Sequence, residues 1–136
     1  DEEIVECSHA DLVQTFETKI WRWRGRCDLC HVEDAPLAEV GEPPPWMIYA
    51  YSENAAERTY NNIVEAGYID ESCPLQSAFL LKPLDESLGG TEHGGGEKFH
   101  EDDDEGFQNW LTFLRKYAAC NGYESDAGPF EPGACF

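Results

Sequence analysis

The sequence predicts an α+β fold: an antiparallel β-sheet of about four strands with helices packed on it, crosslinked by disulfides, as a single domain over residues 1–136. Three observations predict it. Residues 19–32 alternate in period two, with Trp21, Trp23, Cys27 and Leu29 on one face and Ile20, Arg22, Arg24 and Arg26 on the other. Other stretches carry apolar residues at helical spacing. Six cysteines, Cys7, Cys27, Cys30, Cys73, Cys120 and Cys135, run along the chain. An even number in a small domain reads as three bridges, with the pairing left open.

Taken in order, residues 2–7 hold Ile4 and Val5 and predict a short strand. Asp11 to Thr18 places Leu12, Val13 and Phe16 at helical spacing, with Ser8 as N-cap. The Trp/Arg run that follows is the first main strand, bulged near Gly25. Glu33 to Pro45 is an acidic, proline-ended loop, and Trp46 to Tyr51 (WMIYAY) is the second main strand. Asn54 and Glu57 make a capping box for a helix whose stripe is Ala56, Tyr60, Ile63 and Val64, stopped by Gly67. Tyr68 to Leu75 is irregular. Ser77 to Lys82 (SAFLLK) reads as a strand, because Pro74 and Pro83 bracket it too tightly for a helix.

Leu88 to Gly106 is a long loop with five glycines between Gly89 and Gly96, then the acidic run Glu101 to Glu105. The best helix follows. Asp103 or Asp104 caps it, Phe107, Trp110, Leu111, Leu114 and Ala118 line one face, and Arg115 and Lys116 suit its C-terminal dipole. Gly122 to Phe136 has no period, and Cys135 would staple this tail down.

The charge balance narrows the function classes. Twenty-eight acidic residues against nine basic ones leave a net charge of −19, a field that repels phosphate backbones and anionic headgroups. Nucleic-acid and membrane partners are therefore disfavoured, the one basic cluster being Arg22, Arg24 and Arg26. No apolar run approaches membrane-spanning length. The start at Asp1, without Met or apolar leader, and the cysteine content together predict a mature secreted, extracellular protein.

The sharpest local motif is Cys27-Asp28-Leu29-Cys30-His31, a C-x-x-C-H pattern that would serve haem attachment, a dithiol redox pair or, with free thiols, zinc. The bland reading, two half-cystines with separate partners, is preferred. Its place at the end of an alternating strand suits none of those chemistries, and Met47 is the sole methionine for a second axial ligand. His93 and His100 flank the glycine-rich loop beside Glu92, Glu97 and Glu101; solvated loop histidines explain them. The run Glu101 to Glu105 lacks the alternating ligands of an EF-hand. No catalytic residue, metal site or cofactor is expected.

Trp21-Arg22-Trp23-Arg24 remains. On a strand the Trp rings would anchor helices to the sheet, while Arg22 and Arg24 would pair with surplus carboxylates or terminal helix carbonyls. This W-R-x-R motif, in a small cysteine-rich chain, resembles that of the LARS family of secreted fungal avirulence effectors, with Trp23 in the variable slot. The resemblance implies a four-stranded antiparallel sheet covered by helices, and a monomer delivered to the host apoplast. It implies binding of a host plant protein, such as a resistance protein or receptor, to modulate or trigger immunity without catalysis.

The candidate partner-contact loop is Gly89 to Glu105, with Glu92, His93, His100 and Asp102, chosen because exposed loops carry recognition. Two other classes stand beside this one. A secreted protease inhibitor would present Pro43 to Trp46, and a redox or haem protein would use Cys27, Cys30 and His31.

Overall fold

In this computed structural model, residues 7–26, 31, 46–48, 51–84, 87, 90, 99, 101, 104–123, 129–131 and 133–135 are described. Among them the protein is helical, with no strand or sheet. The expected α+β architecture is corrected accordingly. Helix α1 is His9–Lys19, α2 is Ala55–Glu65, α3 is Ala78–Leu81 and α4 is Glu105–Cys120. Two 3-10 turns, Trp21–Arg26 and Pro74–Gln76, are described as well.

The helices start and stop where local chemistry dictates. Ser8 opens α1 with a reciprocal capping box. Its Oγ accepts from the Asp11 N–H at 3.1 Å, and its own N–H donates to the Asp11 carboxylate at 3.2 Å. Asp104 caps α4 by accepting the Phe107 N–H at 3.1 Å. Asn54 does not act as expected. It sits at φ 52° and makes no side-chain cap bond, since a capping side chain reaches its N–H only from an extended backbone. Gly67 ends α2 in a Schellman turn at φ 75°: its N–H donates to Val64 O and that of Tyr68 to Ile63 O. Gly122 repeats the device after α4, with bonds to Ala119 O and from Tyr123 to Ala118 O.

Helix α1 packs on both α2 and α4, and three rings meet there. Phe16 lies edge-on to Tyr60 at 5.8 Å and to Phe113 at 5.5 Å, and Tyr60 and Phe113 close the triangle at 6.2 Å. The expected stripe on α4 is buried throughout. Of its expected dipole cations, Lys116 plays another part. The helix runs on to Cys120, and Lys116 Nζ donates to Thr15 Oγ1 at 2.8 Å, tying α4 to α1.

The strands give way to other structure for identifiable reasons. Trp21 to Arg26 coils into a 3-10 turn directly after α1. Residues 46–48 lie along α2, whose side chains satisfy their backbone. Thr59 Oγ1 accepts the Ile48 N–H at 3.0 Å, and Asn62 Nδ2 donates to Trp46 O at 3.1 Å. Within Ser77 to Lys82, Ala78–Leu81 forms α3 in place of the expected strand. A single turn fits between the prolines, because Pro74 opens the preceding 3-10 turn, where no N–H is needed. Phe79 and Leu80 of α3 are buried, and the Phe79 ring stacks on Trp110 at 5.0 Å while its carbonyl accepts from the indole N–H at 3.2 Å. All of the expected strand at 2–7 but Cys7, and most of the run 27–32, lie outside the described residues.

Two disulfides close the fold, Cys7–Cys120 and Cys73–Cys135. The first joins the entry to α1 with the last residue of α4. The second straps the tail, as expected for Cys135, and Leu75 N–H to Cys135 O and Gln76 Nε2 to Ala134 O reinforce it at 3.0 and 3.1 Å. Each spans more than 60 residues, so each restricts the unfolded chain by about 2–5 kcal/mol. Cys27 and Cys30, the other two expected half-cystines, lie outside the described residues.

Candidate functional site

The most distinctive surface lies at the junction of α1 with the turn Trp21–Arg26. Ile20, fully in the core, closes α1, and its carbonyl accepts the Trp23 N–H at 2.9 Å, tightening the chain into the 3-10 turn. A 3-10 helix has three residues per turn, so residues three apart stack one above the other. Arg24 therefore lands on Trp21. Its guanidinium lies 5.3 Å from the centre of the indole, and Nη1 donates to the Trp21 carbonyl at 3.1 Å. Arg22 folds over its neighbour Trp23 at 5.2 Å.

Both indoles are half-buried and pack against the hydrophobic core, so the rings are anchored from beneath and carry the cations on their outer side. Arg22 is exposed and Arg24 half-buried. The expected ion pairs are not formed among the described residues. Among the described residues no carboxylate lies within ion-pair distance of Arg22 or Arg24; for Arg24 the expected carbonyl contact is made, within its own turn. Trp21 and Trp23 pack against the helical core, where a sheet was expected beneath them.

The other expected site residues are less informative. His31 is buried, with its ring stacked on Trp46 at 4.9 Å and its carbonyl accepting the Met47 N–H. Cys27 and Cys30 of the C-x-x-C-H pattern lie outside the described residues, as do Pro43 to Pro45 and the loop residues Glu92, His93, His100 and Asp102. Parts of that loop are described and are not free. Phe99 is 1% exposed, its N–H donates to Pro83 O at 2.8 Å, and its ring packs on Phe107 and Trp110. Asp104 is spent on the α4 cap.

Two features escaped sequence reasoning. His9 of α1 faces Glu57 of α2 at 3.5 Å and lies edge-on to Tyr60, an exposed pair that only the helix packing brings together. Tyr60 and Tyr117 flank Phe113. Burial, helped by the nearby Tyr117 charge, pushes the Tyr60 phenol up to about 12. Tyr117 is raised as well, by burial and then by Glu71. Neither phenol ionises near neutrality, so both act as core residues. Among the described residues no group of three or more His, Cys, Asp and Glu could hold a metal.

Comparison with family models, with curated proteins and with solved structures finds no match for this chain.

Proposed function

We propose that this is a secreted, disulfide-bonded binding protein, and more narrowly a fungal plant-pathogen effector that engages a host protein in the apoplast. The observation that carries the binding reading is the pair Arg22 and Arg24, held on core-anchored Trp rings at the surface and left without carboxylate partners among the described residues. In a chain with 28 acidic residues, cations without such partners are a conspicuous surplus. Secretion is supported by Cys7–Cys120 and Cys73–Cys135, since long-range bridges of this kind persist in oxidising compartments. The host-directed part rests on the W-R-x-R resemblance, now carried by a 3-10 turn rather than a strand.

The test is capture of a partner. Oxidised protein would be cross-linked in apoplastic washing fluid from several plants, and the adducts identified by mass spectrometry. One plant protein recovered with the oxidised form and lost after reduction supports the reading. Recovery of the same broad set from both forms, or of none from any host, would sink it.

A further inference from the structure

Residues 18–27 hold Lys19, Arg22, Arg24 and Arg26 and not one acid, which leaves five basic residues against 28 acidic ones for the rest of the chain. That stretch is the one basic segment of a strongly acidic sequence, and its described cations Arg22 and Arg24 sit on the Trp rings. Resting on the binding reading above, we propose that this Trp–Arg ridge is the docking surface and that it takes a short carboxylate-rich segment of a partner protein.

The argument begins with the guanidinium. Held 5.2 to 5.3 Å from an indole centre, each guanidinium still has N–H donors to offer a carboxylate. Arg24 already uses Nη1 on the Trp21 carbonyl, which fixes its plane. Arg22 is exposed over Trp23. Because Trp21 and Trp23 are packed on the core, the two forks are held before any partner arrives, and little side-chain freedom is lost on binding.

Size selects the partner. Six residues of 3-10 helix rise roughly 12 Å in all, which about four residues of an extended peptide would cover. Two or three carboxylates fit within that span. Double-stranded DNA carries a charge every ~1.7 Å along its axis and would extend far beyond two guanidinium groups on a chain of net charge −19. The charge pattern also dictates an unusual salt response. At about 0.01 M salt the Debye length is ~30 Å and the whole negative molecule repels an anion, whereas at about 0.15 M it is ~8 Å and only the ridge is felt.

Fluorescently labelled hexaglutamate is the probe, titrated into the oxidised full chain and read by anisotropy. Affinity is expected to rise from about 0.01 M to about 0.15 M salt and to fall again towards about 1 M. Arg22→Gln with Arg24→Gln is expected to weaken binding at least about tenfold at the optimum, two charge-assisted contacts being lost. If that variant loses its helical circular dichroism, the exposed Arg22→Gln alone is read, with about threefold expected. An affinity unchanged by the substitutions, a monotonic rise with salt, or tighter binding of an oligothymidylate of equal charge would each overturn the proposal. The two readings fail separately. Host capture that persists while hexaglutamate ignores the substitutions removes this docking surface and leaves the binding function. Arginine-dependent hexaglutamate binding without host capture upholds the surface and removes the host.

Discussion

The junction of α1, α2 and α4 and the turn Trp21–Arg26 are both built on aromatic side chains, and they use them in opposite ways. At the junction Phe16, Tyr60 and Phe113 meet edge to face, all nearly fully buried. Each ring there removes a large apolar area from water, and ring–ring geometry adds about 0.5–1.5 kcal/mol per pair. At the turn the indoles are only half-buried, and guanidinium groups cover them. An exposed cation–π contact is worth about 0.5–1 kcal/mol. The same residue class thus holds the fold together in one place and displays charge in the other. Depth of burial decides which.

The comparison can be broken most sharply at its buried end. Phe113→Ala opens a cavity where three elements meet and should cost about 3–5 kcal/mol, read as a shift in the midpoint of urea unfolding. A cost below about 1 kcal/mol would mean that the ring cluster is not what holds α1, α2 and α4 together. Next comes the alkaline limb. Tyr60 is raised from 10.0 to about 12 in the folded protein, so its contribution is complete below pH 10 and erodes as pH climbs through about 12. Tyr60→Phe should therefore lose less stability than the parent between those limits, by about 1–2 kcal/mol. Parallel pH curves for the two proteins would contradict the burial of that phenol. The smallest effect belongs to the turn. Arg22→Gln, which removes one such contact, should change stability by no more than about 1 kcal/mol. A loss approaching that of Phe113→Ala would place the ridge within the structural core and erase the distinction.

The buried end of the molecule was also the legible one. The stripes of α1, α2 and α4 repeat at helical spacing, and Ser8, Asp104 and Gly67 announce ends that chain-local bonds then form. The turn was harder to read because its residues satisfy two periods at once. Trp and Arg alternate as a strand would, yet Trp21 and Arg24 also stand three apart, and the second spacing is the one the backbone adopts. A short apolar run between prolines was ambiguous for a similar reason, a single helical turn being no longer than a short strand. Phe99 was hidden among glycines and acids, with no periodic neighbour to mark it, and only the packing of Phe107 and Trp110 reveals it as core. As for the site, its four residues could be singled out from sequence. Their electrostatics could not, because the abundance of acids made ion pairing the obvious expectation, and among the described residues the partners of the two cations are indoles and a carbonyl.

The arrangement of the two bridges has a consequence for a protein exposed to proteases. Cys7–Cys120 and Cys73–Cys135 overlap, so their loops together enclose every peptide bond from residue 7 to residue 135. A cut before Cys73 leaves the pieces joined through Cys7–Cys120, and a cut after Cys120 leaves them joined through Cys73–Cys135. Between Cys73 and Cys120 both bonds span the nick. No single cleavage in that whole stretch can release a fragment, so a nicked molecule stays one covalent body, heavier by one water and still carrying its Trp–Arg ridge.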